Sequence, residues 1–535
     1  MEAINQRNWT KFYPDNVRPI INESEIVSVY KLLERSTEEY GDRVAIISDE
    51  EEETTYKQLK EKVDRLASAW KSKGMKKGDR VGIMLPNIPY YFITYYAAMK
   101  LGLIVVQINP NYTIRELLQI INDSETKYLV IDSDVSERLD HVQEMNILQE
   151  VFLTESQDKK INTLWGLMNQ SIDVDEENTI DSENDVAVIQ YTGGTTGKAK
   201  GAMLTHANLV SNVLQSYEIY GNEMKFGKET VLTATPLYHV YAMTSGMNLG
   251  IYIAATNVLV KQYNVETALD KIKKYQPTYF PGVPRMYNDF AHHPHVESYK
   301  LKCLKFCSSG SAPIPVELIN RFERLTGAII AEGFGLTEAS PSTHRNPPSG
   351  KRKIGSIGIP LPSTDCKVVD DDGNELPPDS IGELIIKGPQ IMKGYWNKDE
   401  ETKNSLRNGW LYTEDLARQD QEGYFYIVGR RKEMIITNGF NVYPQEIENV
   451  LYEHPDVKEA AVVGIEDSKR GEITKAFLVL NEESSVETDE LIGHCYKNLT
   501  PYKVPKRFEV VPSLPRSNVG KVLKTKLKEM ENNNN

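Results

Sequence analysis

Tyr191-Thr-Gly-Gly-Thr-Thr-Gly-Lys-Ala-Lys-Gly-Ala202 is the stretch that decides the fold. It follows an apolar run, Val186 to Ile189, that reads as a buried strand, and it precedes a helix that Thr205 is placed to cap. Glycines let backbone amides come close to an anion, threonine hydroxyls add donors and lysines add charge. A polyphosphate fits that donor set. The spacing is not that of a P-loop, which needs four residues between its first glycine and the Gly-Lys pair, then Ser or Thr. Here three residues separate Gly193 from Gly197, and Ala199 follows Lys198, so an ordinary P-loop nucleotidase is disfavoured. A solvated turn explains the glycines but not the hydroxyl and basic residues gathered behind an apolar strand.

Before this stretch, helical and strand patterns alternate. Thr55 to Gly74, Tyr90 to Leu101 and Ile114 to Asn122 read as helices; Arg80 to Leu85, Ile104 to Ile108 and Tyr128 to Ile131 read as strands. Such alternation predicts an α/β fold of parallel sheets covered by helices. From about 355 to 429 short strands and turn clusters predict a β-rich subdomain within a larger unit, 1–429. From 430 to 535 the pattern is mixed α and β, a small separate domain, with Pro444 suited to the first turn of a helix running to His454. The tail Asn532 to Asn535 is low in complexity and reads as disordered.

The chain has 535 residues, 40% hydrophobic and 26% charged, which exceeds one ordinary core. Its net charge of −14 argues against a general nucleic-acid binder. Cys303 and Cys307 are spaced C-x3-C with no second pair to complete a zinc site, so the four cysteines read as free thiols of a reducing cytoplasm. Pro89 to Ile108 is the most apolar stretch; Lys100 and Gly102 interrupt it, and a buried helix leading into a strand explains it better than a membrane span.

Further motifs follow in order: Pro236-Leu-Tyr-His239, Ser309-Gly-Ser-Ala-Pro313, Glu332-Gly-Phe-Gly-Leu-Thr-Glu338, Gly394-Tyr-Trp396, Tyr412-Thr-Glu-Asp415, Gly429-Arg-Arg-Lys-Glu-Met-Ile435, Asn438-Gly-Phe-Asn-Val-Tyr-Pro444 and Pro515-Arg-Ser-Asn-Val-Gly-Lys521. The ordered set resembles the adenylate-forming superfamily of acyl-CoA synthetases, luciferases and peptide-synthetase adenylation domains, and among these it is most similar to bacterial long-chain fatty-acid-CoA ligases. The resemblance spans nearly the whole chain. It implies a large region of two α/β subdomains plus a β-rich one, with a mobile C-terminal domain that closes in two orientations, one for adenylation and one for thioester formation.

The resemblance also implies roles for particular residues. Tyr191, Thr192, Gly193, Gly194, Thr195, Thr196, Gly197 and Lys198 would hold the phosphates of ATP. Gly310, Ser311, Ala312, Glu332, Gly333, Phe334, Gly335 and Thr337 would surround the nucleotide. Asp415 has two oxygens for the ribose hydroxyls and Arg430 a planar donor fork. Lys432 matches the hinge and lies near the nucleotide. Glu338, with Thr192, would hold Mg2+, which favours hard oxygen donors. The Lys521 ammonium, in a loop expected to be exposed, would neutralise charge that grows when a carboxylate attacks the α-phosphate. His239, Val240, Tyr241, Gly246 and Val283 would form the acyl pocket, with a hydrogen-bonded core histidine the rival reading of His239. Gly439 and Phe440 would meet coenzyme A.

Two positions depart from the family pattern: Glu414 stands where glycine is usual and Phe334 where tyrosine is common. The implied reaction joins a fatty acid to coenzyme A at the expense of ATP. Transfer to an acyl carrier protein and a medium-chain or aromatic acid are alternatives, and both peripheral membrane contact and a homodimer are compatible with the pattern.

Overall fold

The computed structural model describes residues 7–134, 147–155, 162–170, 178–192, 199–221, 223–467, 469–481, 484, 486–517 and 521–534. Residues Gly193 to Lys198 of the glycine-rich stretch lie outside them.

Two α/β sheets dominate. In the seven-stranded sheet Glu150–Leu153, Tyr128–Ile131, Arg80–Met84, Ile104–Gln107 and Val186–Thr192 run parallel, as the alternation predicts. The nine-stranded sheet has a parallel centre, from Val44–Ile47 through Thr256–Leu259, Thr230–Thr233, Tyr279–Gly282 and Phe306–Ser309 to Ile329–Gly335. Ser342–Arg345 then turns back antiparallel on Ile329–Gly335, pairing Arg345 with Gly333.

The helix Pro89–Leu101 is apolar because both sides of it are covered. Its tyrosines reach the second unit: Tyr91 donates to the Leu237 carbonyl at 2.9 Å, and Tyr96 donates to Asn248 at 3.0 Å. Gly102 ends the helix at φ 67°, a left-handed cap that glycine adopts without Cβ strain.

The β-rich region forms an antiparallel sheet of Asp365–Val369, Gly382–Lys387, Trp410–Gln419, Leu406–Arg407 and Phe425–Arg430. Two short strands leave it. Ile359–Pro360 extends the nine-stranded sheet, and Gly394–Tyr395 pairs with Lys200–Thr205 in the seven-stranded one. A 3₁₀ turn, Arg431–Glu433, follows Arg430, and Ile435–Thr437 opens a separate sheet with Phe440–Val442, Gly471–Leu480, Val457–Asp467 and Arg507–Val510. The mixed α/β class expected from the sequence is the observed one.

Two readings need correction. The helix Lys524–Asn534 runs through the asparagine tail; Leu527, fully buried, anchors its middle and lets poor helix formers continue it. The segment Lys200–Thr205, which the pattern did not resolve, is a strand hydrogen-bonded antiparallel to Val186–Thr192. The glycine-rich stretch therefore joins two strands, and the amides of the following helix begin only after Thr205, whose hydroxyl accepts from Asn208 N at 3.1 Å.

Candidate active site

A cavity of about 1290 Å³ lies where the three N-terminal sheets meet the C-terminal part. Its walls include Tyr191, Thr192, His239, Val240, Tyr241, Val283, Gly310, Ser311 and Ala312 from the expected set. Glu332, Gly333, Phe334, Gly335, Thr337, Glu338, Asp415, Arg430, Lys432 and Lys521 complete it. Gly246, Gly439 and Phe440 do not reach it.

The charged end is built by strand pairing. Asp415 and Arg430 face each other across neighbouring strands, with Arg430 Nε 3.2 Å from Asp415 Oδ1. Burial pushes the Asp415 carboxyl up to about 6, against the opposing pull of Arg430 and Lys521. Lys521 is half-buried, which overturns the expectation of an exposed loop. Its amide donates to Ser517 Oγ at 3.2 Å and its carbonyl accepts from Ser517 N at 2.7 Å, which hold Lys521 against Ser517 on the cavity wall. Burial, then the Arg430 charge, holds the Lys521 ammonium below its ordinary value.

Glu338 Oε1 accepts from the Tyr395 hydroxyl at 2.7 Å. Tyr395 lies in a quoted motif to which no role was given; its ring also packs under Lys200 Nζ at 4.9 Å. Among the described residues no three His, Cys, Asp or Glu side chains gather into a closed metal site. A single carboxylate and the Thr192 hydroxyl on one cavity still suit magnesium, which takes one or two carboxylates and completes its shell with phosphate and water. Tyr191 donates to Asp123 at 2.7 Å, so its hydroxyl is occupied as a strut.

Both departures from the family pattern have a local account. Glu414 sits at φ 60°, the left-handed region that favours glycine. Its carboxylate turns to Lys432 Nζ at 2.7 Å, which neutralises a charge that would otherwise oppose a nucleotide. Phe334 packs edge-on to His344, ring centroids 6.1 Å apart, and keeps an aromatic face on the cavity.

Glu332 is buried, and among the described residues its carboxyl receives only the Gly355 amide, at 3.3 Å. Burial pushes its carboxyl up to about 8, so it carries a proton at neutral pH. Ser311, at φ 69°, strains the loop after Phe306–Ser309, and the buried hydroxyls of Ser309 and Ser311 have no partner among the described residues. Such unpaired donors on a cavity wall are ready for a ligand.

Elsewhere on the wall His239 Nδ1 accepts from Tyr241 N at 3.2 Å, and burial lowers its imidazole to about 4. His239 is hydrogen-bonded and neutral, as the core reading expects, and it also lines the cavity. Tyr241 stands directly behind Gly310, where an added Cβ would come within 2.9 Å of the ring. Gly246 belongs to the π-helix Ala242–Asn248 and packs toward Pro281 behind the wall. Gly439, at φ 81°, has no atom within 4 Å of an added Cβ, and Phe440 is 53% exposed and stacked on Tyr502.

The sequence matches the AMP-binding enzyme family over residues 33–396 and the AMP-binding enzyme C-terminal domain over residues 446–521. The chain belongs to the AMP-binding enzyme family. A long-chain-fatty-acid–CoA ligase of Bacillus subtilis is 39% identical, covering 99% of both chains. A feruloyl-CoA synthase of an Amycolatopsis species is 34% identical over 88% of this chain and 92% of its own. The ATP-bound crystal structure of MatB from Rhodopseudomonas palustris superposes with a TM-score of 0.86 at 29% identity, covering 94% of this chain and 98% of its own. Like those relatives, this AMP-binding enzyme has a large α/β region and a smaller C-terminal part, and the family's motifs surround the cavity. No helix among its described residues is long and apolar enough to cross a membrane.

Proposed function

We propose that this enzyme joins a long-chain fatty acid to coenzyme A through an acyl-adenylate. The observation that carries the reading is one cavity lined both by Asp415, Arg430, Glu338 and Lys521, whose charges act on one another, and by His239, Val240, Tyr241 and Val283. The substrate class is supported by the fatty-acid ligase of B. subtilis.

In the first step a carboxylate oxygen attacks the α-phosphorus of ATP, the bond to the β-phosphate oxygen breaks, and pyrophosphate leaves. Two anions approach each other, and the half-buried Lys521 ammonium lies where burial strengthens its field. Asp415 accepts from the ribose hydroxyls and Arg430 donates beside it. Glu338 and Thr192 would hold magnesium, which when bound offsets phosphate charge. Neutral His239 orients the acid without adding charge. In the second step the coenzyme A thiol sulfur attacks the acyl carbonyl, AMP leaves with the bonding electrons, and the thiol proton passes to solvent.

A domain boundary at 429/430 and a hinge at Lys432 belong to the same proposal. Lys521 lines the cavity while Gly439 and Phe440 lie outside it, the arrangement suited to adenylation. Rotation about Lys432 would withdraw Lys521 and bring Gly439 toward the pantetheine. Product analysis by mass spectrometry tests the reading: acyl-CoA, AMP and pyrophosphate are expected, and ADP with phosphate would reject it. An aromatic acid is the second reading, favoured by the feruloyl-CoA synthase relative; a screen of acids against free coenzyme A separates the two.

A further inference from the structure

Arg345 ends the strand Ser342–Arg345, is 2% exposed and lines the cavity. Among the described residues no carboxylate pairs with it; the strongest fields on it come from Tyr220, Tyr279 and Tyr241. One guanidinium nitrogen donates to the Tyr220 hydroxyl at 3.1 Å, and the group lies 5.4 Å from the centre of that ring. Its Nε is buried and has no hydrogen-bond partner among the described residues.

The neighbouring tyrosines do not supply a counter-charge. Tyr241 is hydrogen-bonded to Ser308, and burial pushes its phenol well above the usual range. Tyr279 also reaches Ser308, at 3.3 Å, and burial raises it in the same way. A guanidinium keeps its proton at any working pH, and a buried charge left without a partner is strongly unfavourable. A surface arginine would relieve that by turning into water, but Arg345 has no such route.

Its place in the cavity narrows the ligand. Asp415, Arg430, Lys521 and Glu338 act on one another at the nucleotide end. The strongest fields on Arg345 come from none of them. The guanidinium bears instead on Tyr241, one of the residues proposed for the acyl pocket, whose ring stands behind Gly310. Ser309, whose buried hydroxyl has no partner among the described residues, also lines the cavity.

We propose that Arg345 anchors a second carboxylate at the far end of the acid, so that the preferred substrates are α,ω-dicarboxylic rather than simple monocarboxylic acids. This rests on the acid-activation reading above and changes only the acid. Binding would pair the guanidinium with a carboxylate through its planar fork, a contact that lysine reproduces only in part.

The test is acid-dependent pyrophosphate–ATP exchange by the full chain, with monocarboxylic and α,ω-dicarboxylic acids matched in length. At the best length the diacid should show a kcat/KM at least about tenfold higher, because a site built for a polar group rejects the analogue that lacks it. Arg345→Met should shift that ratio toward the monoacid by about a hundredfold, and Arg345→Lys should recover part of the shift. A wild-type preference for the monoacid at every length overturns the proposal, even should the Met variant fail to fold. So does a Met variant that slows both acids by the same factor, the sign of a purely structural arginine. Exchange with no acid at all removes the acid-activation reading and the anchor with it; exchange with monoacids alone removes only the anchor.

Discussion

Lys521 and Gly439 belong to the same small C-terminal part, yet Lys521 is half-buried in the cavity and Gly439 stands in open space. One surface is engaged with the charged end of the site; the other, with Phe440 stacked on Tyr502, faces away. A single arrangement of this part can present only one of them. Under the proposed two-step mechanism the part turns between the two chemistries, and each surface becomes separately breakable.

The largest effect is expected at Lys521. Removing one preorganised donor from a water-poor site typically costs about a hundred- to a thousandfold in rate. Lys521→Ala should lose that much in pyrophosphate–ATP exchange. A loss of less than about threefold would return Lys521 to a bystander.

On the other surface, Gly439→Leu should leave adenylation near normal and slow thioester formation by about a hundredfold, the scale of a misplaced reactant. Space alone does not oppose the substitution, but φ 81° does. Gly439→Asn, which tolerates that backbone region better, is the control for strain. Equal loss in both half-reactions for both variants would indicate damage to the fold and no role in coenzyme A binding.

Between the surfaces, Lys432→Pro fixes φ near −65° and restricts rotation at the turn Arg431–Glu433. The two half-reactions should part by about tenfold or more, measured separately in single turnover. A variant that runs both normally would remove the hinge.

The motifs made the charged end legible because its residues lie in short contiguous segments whose turns bring them together. Asp415 and Arg430 are 15 positions apart and meet by simple strand pairing. The part of the wall proposed for the acyl chain was less legible. Arg345 and Tyr220 come from a strand and from the end of a helix, 125 residues apart, and a lone arginine in a short strand carries no periodic signal. Tyr395 was visible only as part of a motif; its hydrogen bond to Glu338 spans 57 positions. The strand Lys200–Thr205 mixes glycine, lysine and apolar residues, so only its pairing with Val186–Thr192 makes it a strand. Gly246 looked like pocket wall because it follows His239 closely, but the π-helix turns it behind Pro281.

The cavity wall gives a pH test that does not depend on movement. Glu332 has a folded value raised from 4.5 to about 8 by burial, so its favourable contribution is fully present below pH 4.5 and lost as pH rises through 8. Relative to Glu332→Gln, the wild type should lose stability across that window by up to about 1.4 kcal/mol per pH unit, then level off. Urea unfolding at several pH values checks this; parallel curves for the two proteins would contradict a protonated Glu332.

The smallest effect belongs to Glu414. Its pair with Lys432 is exposed, 59% and 47% for the two side chains, and such pairs contribute about 0–1 kcal/mol. Glu414→Gly removes the pair and also relieves the backbone at φ 60°. The partition between half-reactions should shift by less than about fivefold, and added salt should produce the same shift in the wild type but not in the variant. A large, salt-independent change would give Glu414 a different role.

The most direct measurement supplies preformed acyl-adenylate and coenzyme A to Lys521→Ala and to Gly439→Leu and follows thioester formation in single turnover. The account predicts a crossed result. Lys521→Ala, crippled in adenylation, completes the thioester at a near-normal rate, and Gly439→Leu, competent in adenylation, does not. Collapse of thioester formation in folded Lys521→Ala would contradict it, because the two surfaces would then serve one arrangement and not two.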